Sequence, residues 1–567
     1  MRRKTALFLV VISLLPSSFC FGGEWYPVLI HTHTTFSDGG KIAAALATII
    51  RQSLGSLRAD GKCAWVNCDH FDGMARDFAG YVKGIEATGI PGQFIAMPCL
   101  ELGSKLRPEA NTVADANILA IGVLPANFTT LVDCYSVSTG DLPLEEKFDN
   151  QQRLISEILG LEMLPVAAHP TQMLSGYNVA RVDNRFNMQK GYKGLCGVET
   201  MNTLGPGQDD ECVNWYLYLV SLNLMVFVTA GSDYHGTVAS TIPDVLLGSI
   251  GRITWVYADE FSAQAILQAI AEGKTYAGNA GACFGNIFAD GGQNPGFKVV
   301  GVDDPTIIAQ PWVAGRDVNI IVYRNGTEVT RQRYKGDESA LCCYPLNGGD
   351  EFKSGWTDSD MTPGTINRYV IRVVSTTKPG TQTQLITSPI TLRLRLPGET
   401  ASFFDAIRES DLVAMDTAVS VDPSLVNARD PRDIYNFKLS CSKPLALSVA
   451  CALSSSQVVG WLLDHGADPD CRLGAGEAGP LMEVAKLGDV DKARVLLGHG
   501  ANVNIRTDGN TPLVWAISNN HPELARFLID AGADVNLPGD GGIRPLARAR
   551  THNMADIEKL LLAKGAN

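Results

Sequence analysis

His31-Thr32-His33-Thr34-Thr35-Phe36-Ser37-Asp38-Gly39-Gly40 follows a short apolar run, Trp25 to Ile30, that reads as a β-strand. Side chains at i and i+2 of a strand point the same way. His31 and His33 therefore present two imidazoles to one side, and Ser37-Asp38-Gly39 turns the chain just beyond them. Two co-facing imidazoles with a carboxylate nearby form half of a divalent-metal site, since imidazole suits zinc, iron and related ions. Whether the half-site is completed depends on the strands that follow.

Apolar strands alternate with helix-like segments over residues 24–280, which is the pattern of an α/β fold. Strands are predicted at 25–33, 63–69, 94–101, 117–123, 163–169, 197–201 and 225–231, with helices between several of them, as at 41–53 and 151–159. Seven such units close naturally into a barrel of βα type. Residues of the metal-binding kind stand at the ends of these strands: His31, His33 and Asp38, then Asp69-His70, Glu101, Asp115 just before the fourth strand, His169-Pro170, Glu199 with Asn202, and Gly231-Ser232-Asp233-Tyr234-His235. The C-terminal rim of the strands is where α/β barrels build their active sites. Of the nine histidines in the chain, the five before residue 400 all fall in these motifs, and convergence of polar groups on one rim marks a site.

With these motifs in this order, residues 25–280 resemble the polymerase-and-histidinol-phosphatase (PHP) superfamily of metal-dependent phosphoesterases. The resemblance rests on His-Thr-His with Ser-Asp-Gly, Asp-His, the glutamate after a strand, Ala-Ala-His-Pro, and Gly-Ser-Asp-Tyr-His-Gly. It implies a distorted (β/α)7 barrel and two or three divalent metal ions, zinc, manganese or iron. By motif, His31 and His33 would hold the first metal with Glu101 and Asp233. Glu101 would bridge to a second metal held also by His169, and Asp38, His70 and His235 would hold a third. Asp233, His235 and His169 are the implied catalytic residues. Asp115 stands where the phosphatase-like members carry a histidine, so it either serves as an oxygen ligand or marks a weakened second position. Glu199 and Asn202 match a Gly-Val-Glu-x-x-Asn segment with a structural or supporting role.

The ligand set carries its chemistry with it. Clustered metals lower the pKa of bound water and clamp anionic oxygens of a substrate. No Gly-x-Ser-x-Gly elbow and no phosphate-cradling glycine loop is present. Lys105, Arg107 and Arg181 are candidates to meet a substrate phosphate. The stretch from Ile253 to Ala277 resembles the end of PHP proteins related to carbamate hydrolases, which widens the scissile bond to a phosphoester, an amide or a carbamate. A barrel that has lost catalysis within a binding scaffold is the reading from another class.

The chain has 567 residues and 45% hydrophobic content, enough for several domains with separate cores. A net charge of −13 argues against nucleic acid or an anionic membrane as the main partner. Residues 1–23 read as a secretory signal, with Arg2, Arg3 and Lys4 before the apolar run Ala6 to Leu15. A short membrane anchor is the competing reading, but the run is shorter than the roughly 20 residues a spanning helix needs. Export to the periplasm or outside is expected, with no transmembrane domain. The thirteen cysteines set no disulfide connectivity.

Beyond the barrel, helix signals fade over residues 281–398. Short β-runs at 297–302, 318–324, 369–376 and 389–396, with Asn325-Gly326 as a hairpin turn, suggest a small β-sandwich. From 401 to 567 the chain repeats itself. Gly466-Ala-Asp, Gly500-Ala-Asn, Gly532-Ala-Asp and Gly565-Ala-Asn recur at spacings of 34, 32 and 33, and Pro-Leu recurs at Pro444, Pro480, Pro512 and Pro545. This period resembles ankyrin repeats: an all-α solenoid of about four to five units, the first degenerate, between Phe403 and Asn427. It implies a protein partner. His465 and His499 precede the helix-ending glycines, where a partly positive side chain suits a helix C-terminus.

Overall fold

A computed structural model describes residues 24–35, 42–70, 78–104, 115–122, 144–170, 191–202, 209–234, 252–279, 282–289, 292–293, 296–314, 317–334, 341–343, 356–375, 382–432, 444–471, 478–507 and 509–567. The expected leader (1–23), Asp38, Lys105, Arg107, Arg181 and His235 lie outside these residues. The chain divides into two compact units, one of residues 1–299, 306–358 and 366–392, the other of 300–305, 359–365 and 393–567.

In the first unit, seven strands form the expected barrel. They are β1 (Glu24–Thr32), β2 (Cys63–His70), β3 (Phe94–Ser104), β4 (Asp115–Ile121), β5 (Leu164–Ala167), β6 (Gly197–Asn202) and β7 (Phe227–Tyr234). Each pairs with the next, and β7 returns to pair with β1, Ile30 lying opposite Gly231. Helices Ala43–Gly55, Phe78–Glu86, Leu144–Gly160 and Asp209–Ser221 intervene. Apolar residues recur with period two along the strands. Tyr26, Val28 and Ile30 of β1, Ala64, Val66 and Cys68 of β2, and Met97 and Cys99 of β3 form one buried cluster.

One strand departs from a uniform βα barrel. β4 runs antiparallel to both neighbours, with Glu101 opposite Leu119 and Ser104 opposite Asp115. Its beginning, Asp115, therefore reaches the rim where the parallel strands finish. β1 also divides its pairing. Its last residues meet β7, whereas Glu24 to Val28 pair antiparallel with β8 (Arg252–Ala258), which pairs in turn with β9 (Thr275–Asn279). Strand Gln382–Thr387 adds to β9, and Ile366–Ser375 and Val318–Arg324 follow outward. The predicted hairpin joins Val318–Arg324 to Thr327–Tyr334, with positive φ at Asn325 (50°) and Gly326 (81°), as a tight turn of this kind requires. A second sheet is built from Ala282–Ala289, Thr306–Ala314 and Leu341–Cys343.

Among the described residues, ten α-helices in five consecutive pairs make up most of the second unit. The pairs are Glu399–Glu409 with Leu412–Val421, Ala446–Leu453 with Ser456–Asp464, Pro480–Leu487 with Val490–Gly498, Pro512–Ser518 with Pro522–Asp530, and Pro545–Thr551 with Ala555–Ala563. Asp411, Ser455, Asp489 and Thr511 cap helix starts through their side chains. Adjacent repeats are laced by short polar side chains: Asp470 accepts from the Asn502 backbone N–H, Asn504 from Asp534, and Asn536 from Asn567. At the start of the array, buried Arg395 donates to Asp422 at 2.9 Å, Asp303 at 3.2 Å and Ser424 at 2.9 Å.

His465 and His499 do occupy helix ends. Their Nδ1 atoms lie 2.8 and 2.9 Å from the carbonyls of Trp461 and Val495. The Val495 carbonyl, together with Asp464 at 3.0 Å, raises the His499 pKa.

The repeat glycines Gly466, Gly500, Gly532 and Gly565 all have φ between 85° and 96°. A side chain there meets its own backbone. Gly500→Ala is expected to lower the unfolding free energy of the repeat unit by about 1–2 kcal/mol. Gly498→Ala, at the end of helix Val490–Gly498 with open space around it, is expected to be neutral or stabilising by up to about 1 kcal/mol. Urea titrations of the two variants check this; effects of the same sign and size would contradict it.

Candidate metal centre

The three residues His31, His33 and Glu101 come together at one end of the barrel, all buried, with one ligand atom of each within 4.8 Å of the others. Glu101 continues the inward row Met97, Cys99 on β3. Plain alternation after Tyr26, Val28 and Ile30 would turn His31 away from that row. Instead His31 has φ 63°, and the pairing of β1 with β7 slips between Ile30 and Thr32. This bulge brings both imidazoles to the same carboxylate. The two rings do converge, as the His-x-His spacing predicts, but through an irregular backbone rather than a regular strand.

Glu101 shares its two oxygens. Oε2 lies 3.3 Å from His31 Nε2 and 3.2 Å from His33 Nε2, while Oε1 lies 3.3 Å from His169 Nε2. Two donors bound to one ion at about 2.1 Å stand about 3.0 Å apart at a right angle and about 3.4 Å apart at a tetrahedral angle. The observed separations fall between these values. The donor set, imidazole nitrogen with carboxylate oxygen, suits zinc and related ions. His169 has φ 26°, so this imidazole too sits on an unusual backbone for a residue with a side chain. Of the remaining predicted ligands, the backbones of His70, Asp115 and Asp233 lie at the end of β2, the beginning of β4 and the penultimate position of β7.

A buried polar network holds the loop that leaves β1. Asp69 Oδ1 accepts the Thr34 backbone N–H at 2.6 Å, and Oδ2 accepts Thr34 Oγ1 at 2.6 Å and Asn67 Nδ2 at 2.7 Å. Asp69 Oδ1 lies 4.0 Å from His33 Nδ1. Asn67 Oδ1 accepts from Thr32 Oγ1, which itself accepts the Trp65 indole N–H. Burial pushes the Tyr81 phenol, which also meets Asn67, far above its usual range. Sequence reasoning passed over this role of Asp69, seeing it only as the neighbour of His70. The available signal was the polar alternation Asn67, Asp69 opposite the apolar face of β2.

Glu199 on β6 touches two of the imidazole residues. Its Oε1 lies 2.9 Å from His31 Nδ1, and its Oε2 accepts the His169 backbone N–H at 2.7 Å. Among the described residues, Cys63, Cys68, Cys99, Cys196, Cys212, Cys451 and Cys471 are free thiols, and burial pushes Cys63 and Cys99 up to about 12.

The ankyrin-repeat family model matches residues 447–539 and 481–567. A stretch of 124 residues, 21% of the chain, is 32% identical to alpha-latrocrustotoxin-Lt1a of Latrodectus tredecimguttatus, of which it covers 9%. Another of 112 residues, 19% of the chain, is 39% identical to the ankyrin repeat and KH domain-containing protein mask of Drosophila melanogaster, covering 3% of it. A third of 113 residues, 20% of the chain, is 33% identical to the B-cell lymphoma 3 protein homolog of Mus musculus, covering 25%. The chain thus spans a small part of the length of these relatives. The C-terminal region is an array of ankyrin repeats, a class of protein-binding solenoid. Among the described residues no helix is long and apolar enough to cross a membrane.

Proposed function

We propose that the chain is an exported metal-dependent hydrolase, with a phosphoester as the preferred substrate class and an ankyrin module that docks on a protein partner. The observation that carries this reading is the divided carboxylate of Glu101, with two imidazoles at one oxygen and a third at the other. In this reading His31, His33 and Glu101 hold one ion, and Glu101 with His169 contributes to a second. Asp233 completes the first position, Asp115 stands at the rim near the second, and Asp38, His70 and His235 form a third. Divalent ions bound there would activate water and neutralise charge on an anionic substrate. The chain's own part is to hold His31, His33, Glu101 and His169 buried and in register at the strand ends. The PHP resemblance of residues 24–280, with a β-sandwich over 281–398 and repeats over 401–567, supports the same reading. The second reading keeps the barrel and changes the bond to an amide or carbamate, on the strength of the segment from Ile253 to Ala277. A scaffold without catalysis is the remaining outcome.

Elemental analysis of the purified full chain tests this directly. Two or more divalent ions per chain are expected, and removing them with a chelator should abolish hydrolysis of generic phosphoesters, with recovery on adding metal back. Protein with no bound metal, or with hydrolysis that survives His31→Ala, would sink the enzyme reading. Hydrolysis of carbamates but not phosphoesters would select the second. Recovery of residues 1–23 on cytoplasmic protein would overturn export.

A further inference from the structure

We infer that Glu199 is a positioning residue that couples the two halves of the candidate metal centre, orienting from behind both imidazoles that approach opposite oxygens of Glu101. The inference rests on the metal reading above and deepens it.

Glu199 is wholly buried. Its Oε1 meets the Nδ1 of His31, whose Nε2 faces Glu101 Oε2. Its Oε2 accepts the backbone N–H of His169, whose Nε2 faces Glu101 Oε1. One carboxylate therefore stands behind both histidines while another stands in front. With Nδ1–H donating to Glu199, His31 turns the lone pair of Nε2 toward Glu101, the tautomer a metal ligand needs. The two residues held this way are the ones with left-handed backbones in the cluster, His31 at φ 63° and His169 at φ 26°. Such conformations cost about 1–3 kcal/mol each and persist only where the surroundings over-determine them. Glu199 contributes to that constraint at both places.

β7 makes room for this carboxylate. A Cβ added to Gly231 would lie 1.4 Å from Glu199 Oε1 and 2.4 Å from its Cδ. The φ of Gly231 is not positive, so the backbone would accept alanine, and among the described residues the atoms it would meet first are those of the Glu199 side chain. A second constraint is chemical. Two donors, an imidazole N–H and a peptide N–H, converge on one side chain, and a carboxylate offers both an acceptor. An amide of the same shape offers one acceptor and turns its own N–H₂ against the other donor.

The test uses the full chain and zinc alone, in competition with a chelator. Wild-type protein is expected to bind both zinc ions. Glu199→Gln and Gly231→Ala should each weaken both positions by roughly 10–100-fold, although neither removes a ligand. In the Glu199→Ala background, Gly231→Ala should add nothing, since the clash is gone. Zinc affinity unchanged in Glu199→Gln, or weakened at one position only, would overturn the coupling. A lower melting temperature of the metal-free variant with unchanged zinc affinity would show a merely structural role and overturn it as well. Should the variants fail to fold, nitrogen-15 histidine spectra of zinc-loaded wild-type protein decide: His31 must carry its proton on Nδ1 and bind through Nε2, and zinc on Nδ1 overturns the inference. Wild-type protein that binds no zinc refutes the metal reading itself, which is a separate result.

Discussion

Glu101→Ala is expected to empty the barrel of metal and to lower any metal-dependent hydrolysis by more than about 100-fold. Supporting groups that only orient a ligand cost about 10–100-fold when removed. Glu101 is placed to do more, because the Nε2 atoms of His31, His33 and His169 all lie within 3.2–3.3 Å of its two oxygens. Its loss removes the carboxylate that faces all three imidazoles. The remaining imidazoles keep their other contacts, His31 with Glu199 and His33 beside Asp69, so the metal-free barrel should stay folded. Glu101→Gln keeps the volume and removes the charge, and should fall on the same side as alanine, since a neutral amide is a poor ligand for a hard divalent ion. Metal content by mass spectrometry, with circular dichroism to confirm the fold, checks both variants. A Glu101→Ala protein that retains the wild-type metal count would show that the carboxylate is packed among histidines for another reason.

The seven strands were legible as short apolar runs set between helix-like segments, and the structure shifts their limits by only a few residues. What such a run does not carry is direction. β4 has the same apolar run whether it lies parallel or antiparallel, and only its pairing shows that Asp115 arrives at the rim beside the end of β3 from the strand's beginning. Nor does periodicity show a bulge. His31 and His33 look like a plain i, i+2 pair, and the left-handed backbone at His31 that delivers them is set by contacts with β7 and Glu199. The ankyrin array was more open to reading, because Gly466, Gly500, Gly532 and Gly565 are needed one by one for a backbone that other residues avoid. The Asp69 network was closed to it. A buried aspartate bonded to a threonine at the end of the neighbouring strand has the same letter as an aspartate in water.

Asp69 should also separate fold from chemistry. Asp69→Ala is expected to destabilise the barrel by about 3–5 kcal/mol, a large share of the 5–15 kcal/mol typical of a domain. Its carboxylate is the acceptor for the Thr34 backbone N–H, the Thr34 hydroxyl and the Asn67 amide, at 2.6, 2.6 and 2.7 Å, and all three residues are buried. Alanine offers none of them an acceptor, and a buried donor left unmet costs about 1–3 kcal/mol. Hydrogen bonds to a charged acceptor lie toward the upper end. Asp69→Asn keeps the shape and one oxygen, and its cost should be about half, because its amide N–H₂ must face either Thr34 or Asn67. Since the chain has several cooperative units, the barrel transition in urea has to be followed separately, with the ankyrin transition as its internal reference. The expected pattern is the reverse of that for Glu101. In Asp69→Ala the folded fraction keeps metal while the barrel midpoint falls, whereas in Glu101→Ala the metal goes and the metal-free midpoint stays. An Asp69→Ala barrel within about 1 kcal/mol of wild type would mean that Thr34 and Asn67 find other partners.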